Sequence, residues 1–279
     1  MLGAVLVPEW KSNNNLLLLS LLLIGAALIH LASNTFNDYF DYRKGSDSKE
    51  TKVTPFSGGS GLLVEELLTP GEVLTLSFTL LLFALLAGFG VIYMSPASPG
   101  LIIALGTSGV LLGYCYTASP FQLAYRGAGE IAVFIAFGPL PVIAAYCILG
   151  GNTSQIPLLA SLPPGIMTAA ILWINQFPDF ETDRNAGKCN LLVGLGLSKG
   201  RYVYYSLILI AAFFIWAAVH SGGLPLGSLW ALTFLAPALA ASVILHNNYG
   251  NVEKLVPAMA LTIIANTLMS LIMVVTVLI

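Results

Sequence analysis

The chain has 279 residues, of which 57% are hydrophobic and 9% charged, with a net charge of −2 and a mean hydropathy of +0.87. A charged fraction so far below the roughly 25% of soluble domains excludes a water-soluble globule and points to a polytopic membrane protein. The lipid bilayer is therefore the expected surrounding; no nucleic-acid partner and no obligate protein partner are expected.

Met1 to Pro8 is an apolar octet without the basic leader of a signal peptide, and it reads as the end of a first helix. A polar turn, Glu9 to Asn15, precedes eight apolar runs of spanning length at 15–40, 71–95, 99–116, 129–149, 158–182, 200–220, 227–246 and 255–279. The expected fold class is therefore all-α: a transmembrane bundle of nine helices, the first truncated, forming a single domain over 1–279. Of the eleven lysines and arginines, Arg43, Lys44, Lys49, Lys52, Arg126, Arg184, Lys188, Lys199, Arg201 and Lys254 follow the even-numbered helices. Only Lys11 falls on the other face. By the positive-inside rule the even-helix ends face the cytoplasm, in a multi-pass protein of the cell membrane. Cys115, Cys147 and Cys189 are spaced as packing residues, with neither metal-ligand nor disulfide spacing.

The second helix ends in Asn34-Thr35-Phe36-Asn37-Asp38-Tyr39-Phe40-Asp41. At about 100° per residue, Asn34, Asp38 and Asp41 span only about 60° of its circumference. His30, one turn earlier, is either a further ligand or an interhelical hydrogen-bonding residue. Residues 42–70 then form the longest polar loop, with the small-residue run Pro55-Phe56-Ser57-Gly58-Gly59-Ser60-Gly61. Such a loop reads either as a lid whose amides approach phosphate or as a linker. Thr69, Pro70 and Glu72 spell a helix start with a capping box.

The third and fourth spans carry no charge except Glu72 and read as scaffold. Between the fourth and fifth, Tyr114 to Glu130 is aromatic and glycine-punctuated, with one cation and one acid. Gly138-Pro139 and Pro141 predict a kink in the fifth span, and Pro163-Pro164 are expected to open the sixth. That sixth span ends in Asn175-Gln176-Phe177-Pro178-Asp179-Phe180-Glu181-Thr182-Asp183, with Asn175, Asp179 and Asp183 within about 80° of one another. Carboxylates where a helix leaves the hydrocarbon are costly unless something positive binds there. Each motif has a glycine four residues past its last Asp, Gly45 and Gly187. Two oxygen-rich half-sites of this kind suit Mg²⁺, which takes few carboxylates plus phosphate oxygens and water, so the expected ligand is a diphosphate. A cation-coupled transporter also keeps intramembrane carboxylates, but nearer the midplane and with broken helices in matched halves.

These motifs, N-x3-D-x2-D-x3-G-x-D from Asn34 to Asp47 and N-x3-D-x3-D-x3-G-K from Asn175 to Lys188, make the chain resemble the UbiA superfamily of intramembrane prenyltransferases. Three stretches are most similar to the branch that prenylates 1,4-dihydroxy-2-naphthoate in menaquinone biosynthesis: Pro55 to Ser60, Tyr116 to Glu130 and Leu191 to Gly196. The resemblance implies nine helices around a cavity open to cytoplasm and lipid, with Mg²⁺ as cofactor. It also implies a polyprenyl diphosphate and an aromatic acceptor as substrates; homogentisate, another quinone precursor or a glyceryl phosphate would serve as alternative acceptors. By motif, Asn34, Asp38, Asp41, Asn175, Asp179 and Asp183 would bind the metal, with Asp38, Asp41, Asp179, Asp183 and Tyr116 catalytic. Asn37, Arg43, Lys44, Lys188, Tyr125, Arg126, Ser57 and Ser60 would join Asn34 and Asn175 in binding substrate. Gln122 stands where the branch often has a basic residue, and the family's Arg-Pro pair of the first helix is not in this sequence.

Overall fold

A computed structural model describes residues 1–46, 55–56, 59–152 and 154–279. Among them there is no strand. A short helix α1 (Leu2–Val5) precedes α2 (Asn13–Lys44), α3 (Pro70–Met94), α4 (Pro99–Thr117), α5 (Gly129–Phe137), α6 (Pro139–Ile148) and α7 (Ile156–Asn185). Then come α8 (Leu191–Leu195), α9 (Leu197–His220), α10 (Leu235–Asn248) and α11 (Val252–Leu278). Among the described residues eight stretches are long and apolar enough to cross a membrane; α5 with α6 makes one, and the 3₁₀ run Leu226–Phe234 with α10 makes another. The Leu2–Val5 helix is buried, and a Cβ on Gly3 would strike the Val142 carbonyl of α6.

The chain is organised around α7, 56% of whose apolar window is buried, against 11 to 33% for the other seven spans. Its Trp173, Ile174 and Phe177 pack into a core with Tyr204, Ile208, Leu255 and Met259 from α9 and α11. The few polar groups in that core are paired. Trp173 Nε1 donates to the Gly200 carbonyl at 2.8 Å, and the Tyr204 and Thr262 hydroxyls lie 2.6 Å apart. Without water, each unpaired polar group would cost several kcal/mol, so these bonds fix the register of α7, α9 and α11.

The prolines act partly as expected. The fifth span breaks at Gly138, where α5 stops and Pro139 starts α6. Glycine is required there, because a Cβ on Gly138 would sit 2.6 Å from Gly165 Cα and 2.8 Å from the Ser161 carbonyl of α7. The sixth span differs from expectation: α7 begins at Ile156, so Pro163 and Pro164 lie inside it, with Pro178 further on. A proline ring removes one amide donor and displaces the carbonyl four residues back, but a helix packed on all sides tolerates this. Thr69 and Glu72 form the capping box at the start of α3 as the sequence predicts.

Candidate active site

The two acidic motifs end α2 and α7 in the same way. In each, the residue after a left-handed glycine (Gly45, φ 75°; Gly187, φ 73°) donates its amide back to the carbonyl of the last Asp. Ser46 N–H reaches the Asp41 carbonyl at 3.0 Å, and Lys188 N–H reaches the Asp183 carbonyl at 2.9 Å. The glycine amides bond Tyr42 and Arg184, each one residue past the Asp, which completes a Schellman cap on both helices. The repeated D-x3-G spacing is thus a helix stop. It places each last carboxylate on the final turn, with the following residue's side chain folded back beside it.

Those folded-back side chains meet around Tyr125, which lies in the 3₁₀ turn Leu123–Tyr125 between α4 and α5. The Tyr125 hydroxyl donates to Asp41 Oδ1 at 2.8 Å and lies 2.5 Å from the Ser46 hydroxyl. Its carbonyl accepts from Cys189 N–H at 3.0 Å, and its ring sits 3.7 Å from Lys44 Nζ and 5.3 Å from Lys188 Nζ. On the α7 side, Asp183 Oδ1 is 3.1 Å from Lys188 Nζ, and Asp183 Oδ2 accepts from Asn190 Nδ2 at 2.8 Å. Asn190 also caps α8 through Val193 N–H. Burial alone would push the Lys188 amine down, but Asp183 and Asp41 outweigh it and the net shift is upward, so Lys188 is a firm cation. Burial, joined by the Asp41 charge, pushes the Tyr125 phenol up, so it stays protonated and donates.

The first Asp of each motif faces a different neighbour. Asp38, 9% exposed, accepts from Ser60 N–H at 3.1 Å, and Asn175 Nδ2 donates to the Phe56 carbonyl at 3.1 Å. The described part of the 42–70 loop therefore touches both helix ends. Ser57 and residues 47–54, on which the lid expectation also rests, lie outside the described residues. The aromatic members of the α2 motif point the other way. Phe36 packs edge-on against Phe78 of α3 and Tyr114 of α4, at 5.4 and 5.3 Å between centroids, which turns Asp38 and Asp41 inward.

Other expected residues lie further out. Asn34 is exposed, its amide 3.5 Å from His30 Nε2, and Arg43 donates to the Tyr39 hydroxyl at 3.1 Å. Arg126 is exposed; its backbone amide donates to the Leu123 carbonyl at 3.2 Å, and its side chain makes no hydrogen bond or ion pair among the described residues. Tyr116, half-buried on the last turn of α4, is in electrostatic reach of Lys188, Glu130, Asp41 and Asp183. Gly129 permits this packing, since a Cβ there would lie 3.4 Å from the Tyr116 ring and 3.0 Å from Ala124 Cα.

Among the described residues, no three His, Cys, Asp or Glu side chains gather closely enough to hold a metal on their own. The atoms left over are nonetheless of the right kind: among the described residues Asn37 Oδ1, Asn175 Oδ1 and Asp179 Oδ1 are buried hard-oxygen acceptors without partners. Such a set fits Mg²⁺ whose shell is completed by phosphate and water rather than by a closed protein cage. A pocket of about 420 Å³ lined by Val5, Leu6, Tyr146, Ile156, Pro225 and Thr276 lies at the far end of α7, with no acidic or basic side chain in its wall. It is remote from this chemistry.

Three residues of the cluster were given no role by the motif reading: Asn190, Glu130 and Gln176. Gln176 Nε2 donates to Glu130 Oε1 at 2.9 Å, tying α7 to the first turn of α5. Glu130 was read only as the acid that closes the Tyr114–Glu130 stretch, and nothing in the sequence paired it with Gln176.

Comparison with known proteins places this arrangement. The UbiA prenyltransferase family matches residues 1–277. The chain is 30% identical over 224 residues to the 1,4-dihydroxy-2-naphthoate octaprenyltransferase of Bacillus subtilis, covering 80% of this chain and 67% of that protein. It is 29% identical over 204 residues to UbiA prenyltransferase domain-containing protein 1 of Dictyostelium discoideum, covering 71% and 59%. It thus spans about three fifths of the first curated relatives it matches. Two solved structures share the fold. One is a digeranylgeranylglyceryl phosphate synthase (TM-score 0.59, 16% identity, 99% of this chain and 90% of that one). The other is a UbiA homologue from Archaeoglobus fulgidus bound to DMAPP and Mg²⁺ (TM-score 0.51, 18% identity, 90% and 88%). With a match over almost its whole length and two acid-ended helices meeting at one end of an all-helical bundle, the chain belongs to the UbiA prenyltransferase family.

Proposed function

We propose that the chain transfers a polyprenyl group from polyprenyl diphosphate to an electron-rich aromatic acceptor, 1,4-dihydroxy-2-naphthoate, and so serves menaquinone biosynthesis. The active site faces the cytoplasm, a reading supported by Arg43, Lys44, Arg126, Arg184, Lys188, Lys199, Arg201 and Lys254 all lying at the motif end of the bundle, with Lys11 at the other. One observation carries the reading. Two identically capped helices bring Asp41 and Asp183 to a shared lysine, Lys188, with Tyr125 donating to Asp41, while among the described residues the oxygens of Asn37, Asn175 and Asp179 remain open.

The residues divide the work as follows. Asp38, Asp41, Asp179 and Asp183, with Asn34 and Asn175, would hold Mg²⁺, which supplies the positive charge that lets diphosphate leave. Lys188 is a buried cation that already balances Asp183 and Asp41, so it stands ready to face phosphate oxygens. Lys44 adds exposed charge at the mouth, and Ser57 and Ser60 lie on the loop that would cover the diphosphate. Tyr125 holds Asp41 in place through its hydroxyl. Tyr116 and Tyr125 offer ring faces to an allylic cation in a cavity between the helices, a contribution of roughly 0.5–2 kcal/mol that is smaller than charge neutralisation at the leaving group. Water is kept from the cation by the apolar walls, and no covalent bond to the protein is needed.

The test is product formation. Membranes containing the protein, given labelled polyprenyl diphosphates of several lengths and a panel of acceptors, are expected to yield a Mg²⁺-dependent prenylated naphthoquinol by mass. Prenylation of homogentisate or a glyceryl phosphate alone would move the acceptor assignment, and no prenylated product from any acceptor would overturn the reading.

A further inference from the structure

Glu130 is 8% exposed, and only one of its two oxygens is bonded, to Gln176 Nε2 at 2.9 Å. Among the described residues Glu130 Oε2 and Gln176 Oε1 are both buried without partners, as is Thr117 Oγ1 on the neighbouring end of α4. A buried acceptor left open costs roughly 1–3 kcal/mol, and a carboxylate more, so an arrangement with several open acceptors is suited to a ligand that brings donors. Glu130 and Gln176 can only accept at their open atoms, which selects hydroxyl groups over a second carboxylate. Location makes this chemical. Gln176 follows Asn175 of the α7 motif, and Tyr116 is in electrostatic reach of Glu130 as well as of Asp41, Asp183 and Lys188. The charged and titratable groups around this end of α5 are thus Tyr116 from α4, Tyr125 from the preceding turn, Asp41 from α2, and Asp179, Asp183 and Lys188 from α7 and its cap.

Resting on the prenyl-transfer reading above, we propose that Glu130, oriented by Gln176, is the catalytic base that accepts the phenolic proton of the aromatic acceptor. The C–O bond of the prenyl diphosphate breaks with its electron pair going to diphosphate. The acceptor's O–H proton passes to Glu130 Oε2, and the electron pair left on the phenolate feeds the ring carbon that bonds to the allylic carbon. That ring carbon then loses its own substituent, either a proton that passes to the released diphosphate or a carboxylate as CO₂, leaving the bonding pair in the ring. Glu130 returns its proton to the oxygen.

Glu130→Gln keeps the size and the interhelical bond but cannot take the proton. It is expected to lower kcat for prenyl transfer by about 100-fold at neutral pH. Its thermal melt, and its affinity for an unreactive prenyl thiodiphosphate with Mg²⁺, should stay within twofold of the wild type. The distinguishing readout is acceptor acidity. The loss should shrink to a few-fold for fluorinated phenols already ionised in solution, because a base is redundant for them, whereas a structural role would weaken all acceptors alike. Should Glu130→Gln fail to fold, Glu130→Asp, which keeps the carboxylate one methylene shorter, is expected to be slower yet retain the wild-type dependence on acceptor acidity. An equal loss across acceptors, a wild-type rate in Glu130→Gln, or an altered acidity dependence in Glu130→Asp would overturn the assignment. A wild-type protein that prenylates no phenol would instead sink the broader reading.

Discussion

Asp38→Asn and Asp179→Asn are each expected to reduce prenyl transfer by at least about 100-fold, and the double variant to lose little more than the worse single one. The two side chains sit on different helices and have different partners here: Asp38 accepts from Ser60 N–H, whereas Asp179 has a buried oxygen with none. If each served only its own helix, replacing both would multiply the losses. If both hold one metal-bound diphosphate, removing either disables the same ionisation step and the second change finds little left to remove. The amide is nearly isosteric with the carboxylate, so the melts in detergent should barely move. Diphosphate release should be measured across a Mg²⁺ titration, where the single variants should need far more metal. Independent, multiplying effects would mean two separate sites.

Lys188→Met should change two affinities in opposite directions. With its side chain 18% exposed and its amine 3.1 Å from Asp183, Lys188 neutralises carboxylates from both helices. Removing the charge leaves Asp41 and Asp183 facing each other uncompensated, a loss on the order of 3 kcal/mol for a buried pair. That corresponds to roughly a 10 °C fall in melting temperature. Mg²⁺ alone should then bind about tenfold more tightly, because it replaces the missing cation, whereas the diphosphate should bind at least about 30-fold more weakly. Calorimetric titration of each ligand checks this, and a fall in both affinities would make Lys188 purely structural. The sign of its pH dependence follows from its raised pKa. The stabilisation is full below the ordinary lysine range and is lost only as pH rises through the higher folded value, so neutral pH leaves it intact.

Much of this was legible in the sequence because it depends on short-range spacing. Asn-x3-Asp lies within two helical turns, so periodicity put the acids on a stripe; the glycine that recurs four residues past each last Asp was legible as a repeat, and the structure shows it to be the helix cap. The capping box at Thr69 was readable for the same reason. What was not readable depends on contacts between distant segments. Tyr125 was expected among the substrate-binding residues; that its hydroxyl donates to Asp41 and lies beside Ser46 depends on the packing of α4 and its following turn near the end of α2. Glu130 and Gln176 are 46 positions apart and meet because Gly138 and Gly165 let α5 approach α7 closely. Proline misled at the start of α7: Pro163 and Pro164 resemble a helix start, yet the helix runs through them. Arg126, adjacent to Tyr125 in sequence, points outward, since neighbours in a 3₁₀ turn leave it in different directions.

The central claim is that the ends of α2 and α7 form one Mg²⁺-dependent diphosphate site. It is tested most directly by titrating the purified protein with an unreactive polyprenyl thiodiphosphate at graded Mg²⁺. Binding is predicted to strengthen at least about 100-fold from metal-free to saturating Mg²⁺, and that gain is predicted to disappear in Asp38→Asn and in Asp179→Asn alike. Binding that ignores Mg²⁺, or a gain that survives the loss of either Asp, would contradict it.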